Sequence, residues 1–332
     1  MVKAPVDVLG IGNAIVDVIA HADDAFLERE RLVKGTMALI DSKRAAELYD
    51  MMGPGIEASG GSTANTMAGL ASLGGGGAFI GKVRDDVLGQ VFRHDLTAQG
   101  VRFDTPSATS GPPTARCLIL VTQDGQRTMN TYLGACADLG PDDIDPEIVG
   151  AAQVTYLEGY LFDPPLAQQA FRKAAAIAHS AGRKVALSLS DPFCVERHRA
   201  AFRDLVAGDV DILFANEVEI CSLYETAEFA AAAAAVRGHV GVAALTRSAQ
   251  GSVILADGAE HPVAAAPVAR VVDTTGAGDL YAAGFLYGLT RGLPLPNCGG
   301  IGSLCAAEII SHVGARPERK LAELIAEAGI SR

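Results

Sequence analysis

Basic residues are scarce in this sequence. Its 332 residues include 27 Lys and Arg against 39 Asp and Glu, which gives a formal net charge of −12 at pH 7. A protein without a basic surface is poorly suited to bind nucleic acid or an acidic membrane surface as its main partner. We therefore expect small-molecule partners, and any anionic ligand must be captured by a local arrangement of groups.

Long apolar runs and clustered cysteines are also missing. No stretch approaches the roughly 20 apolar residues that a membrane-spanning helix needs, and no N-terminal signal peptide is expected. The six cysteines show no C-x-x-C spacing and no disulfide-rich density, so the expected location is the reducing cytoplasm. The remaining composition, 49% apolar and 20% charged, is typical of a globular protein.

Two glycine motifs have part of the spacing of known nucleotide-binding loops. The Gly-Ile-Gly run at residues 10–12 lacks the third glycine of the dinucleotide fingerprint, because Ile15 occupies its position. The run from residue 76 to 82 has P-loop glycine and lysine spacing, but Val83 stands where Ser or Thr would bind magnesium. We therefore expect neither an NAD fold nor a P-loop.

The segment that organises the chain is Asp273-Thr-Thr-Gly-Ala-Gly-Asp279. Residues Val268–Val272 before it predict a short strand, and apolar residues at helical spacing from Leu280 to Leu289 predict a helix after it. At a helix start the first backbone N–H groups have no partner within the helix and lie at the positive end of its dipole. This turn therefore predicts an anion site. Its amides would come from Gly276, Ala277 and Gly278.

Asp279 lies beside this predicted anion site. A carboxylate does not favour phosphate binding, but it can accept the proton of an attacking hydroxyl, which makes Asp279 the candidate catalytic base. The alternative is that Asp279 only stabilises the start of its helix.

The segment 273–279 resembles the C-terminal signature of the ribokinase-like (PfkB) family of sugar and nucleoside kinases, and Gly60-Gly-Ser-Thr-Ala-Asn65 resembles the start of its N-terminal signature. Segments 114–119, 187–193 and 211–217 are similar to the adenosine kinase branch. The resemblance implies one kinase domain over residues 1–332, with a three-layer αβα fold, a mostly parallel central sheet and a small β-sheet lid. It also implies ATP as co-substrate, Mg²⁺ and, in many members, K⁺.

From Val154 onward, short apolar strands alternate with helices, which predicts a parallel sheet with helices on both faces. Ligands of such sheets collect at the carboxyl ends of the strands. The predicted strands of this part are Val154–Leu157, Lys184–Leu189, Asp211–Phe214 and Val242–Thr246.

Four other β-rich segments form two pairs with no predicted helix within either pair. The first pair is Val16–Ala20 and Thr36–Asp41, and the second is Ala115–Thr122 and Arg127–Leu133. In the resembled family they form the lid, which would be inserted at about residues 14–42 and 112–135 and would exclude water from phosphoryl transfer. The alternative is an antiparallel edge of the main sheet.

Asn13 and Asp17 follow the predicted strand Val6–Ile11 and could hydrogen-bond the hydroxyls of a sugar, although both residue types also favour turns. The resemblance assigns them to the sugar-hydroxyl site. Apolar contacts to a purine could come from Leu133 and Leu161, which would be equally at home in a core.

Residues 60–65 open a helix predicted to run to Leu73. Two glycines allow close backbone approach, and Ser62 or Thr63 can cap the helix. The resemblance implies substrate binding by Gly60, Gly61 and Asn65.

Asn216 and Glu219 have the spacing of a capping box at a helix start. The resemblance also assigns them to a magnesium and phosphate network, with Glu219 acting through water. Both interpretations can hold together. Residues 246–252 resemble the family's Thr-x-Gly-x-x-Gly nucleotide loop, with Ser248 in place of the first glycine. The implied ATP-binding residues are Asn216, Thr246, Gly251, Thr274 and Ser303, and the implied monovalent-cation site lies around Asp273 and Thr275.

The patterns and the resemblance together predict ATP-dependent phosphorylation of the 5′-hydroxyl of a ribonucleoside, with adenosine as the leading acceptor and AMP as product. The alternatives are a free sugar such as ribose or fructose, inosine or guanosine, and a non-catalytic ligand-binding protein of the same fold. The oligomeric state is open between monomer and homodimer.

Overall fold

The computed structural model describes residues 6–330, which form two β-sheets and twelve α-helices. The strands are β1 Val8–Ile11, β2 Ile15–His21, β3 Met37–Leu39, β4 Ile56–Gly60, β5 Gly77–Ile80, β6 Ala115–Val121, β7 Arg127–Tyr132, β8 Val154–Glu158, β9 Lys184–Ser188, β10 Ile212–Asn216, β11 Val242–Thr246, β12 Ser252–Ala256 and β13 Ala259–Val263. The helices are α1 Asp24–Arg29, α2 Ser42–Met51, α3 Ser62–Ser72, α4 Val87–Ala98, α5 Pro146–Ala151, α6 Pro165–Ser180, α7 Pro192–Gly208, α8 Glu217–Tyr224, α9 Phe229–Val236, α10 Ala277–Thr290, α11 Leu295–Ile309 and α12 Leu321–Glu327.

The larger sheet has the strand order β13-β12-β11-β10-β9-β8-β1-β5. Its pairings are parallel from β5 to β11 and antiparallel at β12 and β13. Successive residues of a strand point to opposite faces, and both faces are buried here. One face packs against α5 to α9 and the other against α3, α4, α10 and α11. The predicted three-layer αβα fold with a mostly parallel sheet is therefore confirmed.

The predicted strand Val268–Val272 is wrong. This segment has no regular secondary structure, and Val271 and Val272 are 57% and 42% exposed. The valines favour extended backbone, but no neighbouring strand pairs with them, because the sheet already ends in the β12–β13 hairpin. The helix start after the glycine turn is as predicted, with α10 beginning at Ala277.

The smaller sheet has the order β3-β7-β6-β2-β4. One of its faces packs Val18, Leu118 and Leu120 against Leu27 of α1 and Leu48 of α2. The prediction named four of its strands and missed β4, whose Ile-Glu-Ala-Ser-Gly sequence has little β-propensity. It also missed α1, which lies between β2 and β3 and begins where Asp23 accepts a hydrogen bond from the Phe26 amide.

Among residues 6–330, none of the helices combines the length and the apolar character that crossing a bilayer would require.

Candidate active site

Asp279 lies in the first turn of α10, and its carboxylate is held by side chains of α3. The Ser62 hydroxyl donates to Oδ1 at 2.6 Å, and Nδ2 of Asn65 donates to Oδ2 at 2.9 Å. A residue that only capped its own helix would instead accept from nearby backbone amides. This geometry leaves the carboxylate at the junction of two helix starts. It also corrects the prediction that Ser62 or Thr63 caps α3, since the N-cap residue is Gly61 and no side chain caps the helix.

The turn before α10 has the backbone shape that an anion site requires. Gly276 has φ +80°, and a Cβ on it would lie only 3.0 Å from the Cβ of Ala315, so only glycine fits easily. The Ala277 amide donates to the Thr274 carbonyl at 3.2 Å. Gly278 has open space around its Cα. The turn and its neighbouring amides therefore present an accessible helix start.

Burial raises the pKa of Asp279, while the hydrogen bonds from Ser62 and Asn65 and the charge of Arg316 oppose that shift. Burial also raises the pKa of Asp17, to about 6. The charges of Arg127 and Arg316 oppose this shift, and that of Asp279 adds to it. Asp279 therefore lies close enough to Asp17 for its charge to act on that carboxyl group.

Four of the predicted residues lie together where β2 approaches the start of α3: Asn13, Asp17, Gly60 and Gly61. A Cβ on Gly60 would overlap the carboxylate of Asp17, and Gly61 has φ +91° with its Cα against the Asn13 carbonyl. Both glycines are therefore required by the close approach of β2 to the start of α3.

Glu158, at the end of β8, fixes Asn13. Its buried carboxylate accepts hydrogen bonds from Nδ2 of Asn13 at 2.7 Å, from the Asn13 amide at 3.3 Å and from the Thr63 amide at 2.9 Å. Because Nδ2 is engaged, the carbonyl oxygen of Asn13 is the end of its side chain that remains to accept a hydroxyl hydrogen. Burial raises the pKa of Glu158, and these three donors oppose the shift.

Arg127 and Arg316 bring positive charge to the site. Arg127 of β7 donates to Oδ2 of Asp273 at 2.6 Å, which links the smaller sheet to the glycine turn. Oδ1 of Asp273 accepts from the amide and hydroxyl of Thr275, and Oδ2 also accepts from the Gly314 amide. Although burial opposes it, these bonds together lower the pKa of Asp273.

Asn216 and Glu219 form the capping box of α8. The Asn216 amide and Nδ2 donate to the Glu219 carboxylate at 2.9 and 2.6 Å, and the Glu219 amide donates to Oδ1 of Asn216 at 2.9 Å. Burial raises the pKa of Glu219 to about 7, and the negative charges of Asp191 and Asp279 contribute to the rise. The capping interpretation therefore holds, and Glu219 also lies among the carboxylates of the site.

Three of the residues predicted to bind ATP lie at or just after the carboxyl ends of β10 and β11. Asn216 and Thr246 are paired at the carboxyl ends of neighbouring strands. Gly251 accepts a hydrogen bond from the Arg247 amide at 2.7 Å, which closes the loop after β11. Ser248 has φ +50°, the conformation that a glycine at this place would adopt without strain.

Ser303 and Leu161 both have contacts within the protein. The Ser303 hydroxyl accepts from the Ala266 amide at 2.7 Å and donates to the Ala264 carbonyl at 3.2 Å, so it anchors the segment after β13. Leu161 is 1% exposed inside the core against α6 and α7, so its use as a purine contact is wrong. Leu133 lies directly after β7 and is partly exposed.

A model of the pfkB family carbohydrate kinases matches residues 56–320. The chain belongs to this family. Its pfkB relatives include adenosine kinase from Sinorhizobium meliloti, whose crystal structure is 52% identical, covers 98% of this chain and 100% of its own, and superposes with a TM-score of 0.91. A crystal structure of a probable sugar kinase protein from Rhizobium etli CFN 42 is 50% identical over 98% of this chain and 99% of its own, with a TM-score of 0.92. Adenosine kinase 1 of Arabidopsis thaliana is 27% identical over 92% of this chain and 94% of its own.

These relatives support the adenosine kinase branch of the pfkB family, and the protein is an ATP-dependent kinase. The site residues predicted from the sequence did not include Glu158, Arg127 or Arg316, which contact or lie near them in this pfkB kinase. Glu158 could have been noticed as an acid at the carboxyl end of a buried strand. The two arginines carry no local signal, because their partners lie 146 and 257 residues away in the sequence.

Replacing Glu158 by Gln should raise the KM for the acceptor roughly tenfold with a smaller effect on kcat. The amide has one acceptor oxygen where the carboxylate has two, so Asn13 or the Thr63 amide loses its partner and the acceptor contacts shift. Steady-state kinetics of both substrates measures this, with Glu147→Gln, an exposed acid in α5, as the control. An unchanged acceptor KM in a folded Glu158→Gln variant would contradict the positioning of Asn13 by Glu158.

Proposed function

We propose that this kinase transfers the γ-phosphate of ATP to the 5′-hydroxyl of a ribonucleoside, with adenosine as the preferred acceptor. The observation that carries the proposal is an apolar row across the smaller sheet, on the same face as Asp17. Directly paired residues of neighbouring strands share a face. The row consists of Ile56, Ile19, Ile119, Met129 and Met37.

The size and place of this row favour a nucleoside over a free sugar. Five strands spaced about 4.8 Å apart give a row roughly 19 Å wide. Ile56 and Met37 at its ends are 73% and 45% exposed, while Asp17 lies two residues before Ile19 on β2. A pentose carries hydroxyls around its ring and offers only small C–H patches to such a surface, whereas a purine has a broad apolar face. Asp17 and Asn13 would hold the ribose hydroxyls while the base contacts the row.

The chemical step would use the residues at the junction of α3 and α10. Asp279, oriented by Ser62 and Asn65, would accept the proton of the 5′-hydroxyl as that oxygen attacks the γ-phosphorus. The amides of Gly276 and Gly278 would stabilise the charge on the transferred phosphoryl group, and that of Ala277 would join them by exchanging its bond to the Thr274 carbonyl. The smaller sheet would exclude water, which would otherwise compete as the acceptor.

Mg²⁺ is expected to accompany ATP. Within residues 6–330, no three His, Cys, Asp or Glu side chains are grouped so that they could hold a metal by themselves. The raised pKa of Glu219 reflects burial and crowded negative charge, an environment that a divalent cation relieves. This donor set fits a magnesium ion held mainly by phosphates and water, with Glu219 acting through water. When bound, it would neutralise charge on the phosphates.

A monovalent cation such as K⁺ would need main-chain carbonyls near Asp273 and Thr275. Their side chains are engaged with each other, and Asp273 is also bonded to Arg127 and Gly314. Comparing rates in potassium chloride and tetramethylammonium chloride tests this part of the proposal.

The wild-type enzyme should phosphorylate adenosine with a higher kcat/KM than ribose or fructose, and addition of excess EDTA should abolish turnover. A coupled assay across adenosine, inosine, guanosine, ribose and fructose at fixed Mg·ATP measures the preference. Equal or better turnover of ribose or fructose would replace the nucleoside proposal by a sugar kinase. A preference for inosine or guanosine would change only the base.

A further inference from the structure

Arg316 joins two parts of the site that lie far apart in the sequence. Its guanidinium donates to the Ala64 carbonyl at 2.6 Å, to the Ser59 carbonyl at 2.9 and 3.3 Å, and to the Ser59 hydroxyl at 2.8 Å. All of these acceptors belong to the end of β4 and the first turn of α3. Arg316 itself lies in the irregular segment between α11 and α12.

The two residues before Arg316 contact the glycine turn. The Gly314 amide donates to Oδ2 of Asp273 at 3.0 Å. The Cβ of Ala315 lies where a side chain on Gly276 would have to go. Residues 314–316 therefore touch the Gly276 turn on one side and the Ser59–Ala64 connection on the other.

The surroundings of the Arg316 charge are unusual for a structural arginine. Among the described residues its guanidinium makes no direct ion pair, and its hydrogen bonds all go to neutral oxygens. Burial lowers its pKa to about 10, and only the more distant charges of Asp95, Asp17 and Asp279 oppose the shift. A cation in such a place is costly unless nearby negative charge compensates it. Two of the three compensating carboxylates are the proposed hydroxyl acceptor and the proposed base.

We infer that Arg316 is a positioning residue for phosphoryl transfer, which holds the Ser59–Ala64 connection against the Gly276 turn and keeps Asp17 and Asp279 in their carboxylate forms. The first action sets the approach of Ser62 and Asn65 to Asp279. The second is electrostatic and acts at a distance. The inference rests on the proposed roles of Asp17 and Asp279.

Other groups also act on these two carboxylates, and the test must allow for them. Arg127 of β7 lowers the pKa of Asp17, and the hydrogen bonds of Ser62 and Asn65 lower that of Asp279. The remaining titratable groups that interact with one of the two carboxylates are Cys117 of β6, Tyr156 of β8, Tyr160 in the turn after β8 and Glu219 of α8. None of these is changed by a substitution at position 316.

The experiment compares Arg316→Gln, Arg316→Lys and Arg319→Gln with the wild type. Arg319 is the matched control, because it is exposed and pairs only with Glu327 in the described structure. For each variant, kcat and kcat/KM are measured from pH 5 to 9 with the acceptor that the wild type uses best, together with the melting temperature. Protonation of the ATP phosphates at low pH affects all variants equally and therefore cancels in the comparison.

Removing a positive charge near a carboxylate raises its pKa, so the acid limbs of the Arg316→Gln profiles should move to higher pH by roughly half a unit to one unit. Its kcat on the high-pH plateau should also fall about tenfold or more, because the base loses its alignment. Arg316→Lys should return the acid limbs of the profiles towards the wild-type pH, because it restores the positive charge. Its kcat plateau should stay low, because lysine lacks the forked hydrogen bonds of the guanidinium. Arg319→Gln should match the wild type.

The inference would be overturned if Arg316→Gln kept the acid limbs and the kcat plateau of the wild type and showed only a lower melting temperature. Arg316 would then have a structural role alone. If Arg316→Gln does not fold, Arg316→Lys decides: a lowered plateau supports the inference, and an unchanged plateau overturns it. Failure of the proposed function is distinguishable, because it would appear as absence of acceptor turnover in the wild type.

Discussion

Replacing Asp279 by Asn should lower kcat by roughly 10²–10⁴-fold, because the variant loses the group that accepts the hydroxyl proton. Asn fits the same place: its carbonyl can accept from Asn65, and its amide can donate to the Ser62 hydroxyl. Folding and ATP binding should therefore survive, and nucleotide affinity can increase because a carboxylate near phosphates is repulsive. The decisive measurements are kcat, ATP affinity and melting temperature on the same preparation.

The control for this prediction is Asp145→Asn, since Asp145 caps α5 by accepting from the Glu147 amide and lies outside the site. A helix-start role alone is worth about 0.3–1 kcal/mol of stability and leaves activity unchanged. If Asp279→Asn behaves like this control and keeps more than about a tenth of the wild-type kcat, Asp279 is not the base.

Replacing Asp17 by Ala should reduce kcat/KM for adenosine by roughly 10- to 100-fold, which corresponds to about 1–3 kcal/mol for ribose hydroxyls left without an acceptor in a closed site. The pH profile supplies a second signature. Only the carboxylate accepts two hydroxyl hydrogens, and burial raises the Asp17 pKa to about 6, so wild-type kcat/KM should rise with pH through that region. The rise should be altered in Asp17→Ala.

The comparison substrate for Asp17 is 2′-deoxyadenosine. The wild type should discriminate strongly against it, whereas Asp17→Ala should lose most of that discrimination because the partner of the missing hydroxyl is already gone. Equal discrimination by both proteins would show that Asp17 does not bind the 2′-hydroxyl.

The sequence alone predicted the elements that depend on local patterns. Alternating apolar strands and helices after Val154, the helix that opens at residues 60–65 and the start of α10 all follow from spacing and turn residues. The errors occurred where tertiary pairing decides the outcome. Val268–Val272 have strand propensity without a strand beside them, and β4 pairs with β2 although its own residues favour a strand only weakly.

The candidate site shows the same division between residues that local patterns reveal and residues that only tertiary contacts reveal. Asp279, Asp17 and Asn13 were found because their motifs place them at strand and helix ends. Their partners were not found, since Glu158 and Arg316 act through contacts that no short sequence window contains. Ser62 or Thr63 was predicted as a cap, because such residues favour helix starts, whereas the bond of Ser62 to Asp279 depends on how α3 meets α10.

The long separation of these contacts also determines when activity can arise during synthesis. The bond from Ser62 to Asp279 spans 217 residues and that from Arg316 to Ala64 spans 252, so the site joins early and late parts of the translated chain. Contacts of such separation form late in folding, after the loop entropy of the intervening chain has been overcome. A nascent chain whose α11 is still inside the ribosome would expose the Ser59–Ala64 connection. It would not yet expose Arg316, which holds that connection in place. The complete set of contacts around Asp279 can therefore form only after residue 316 has been translated and is free to fold.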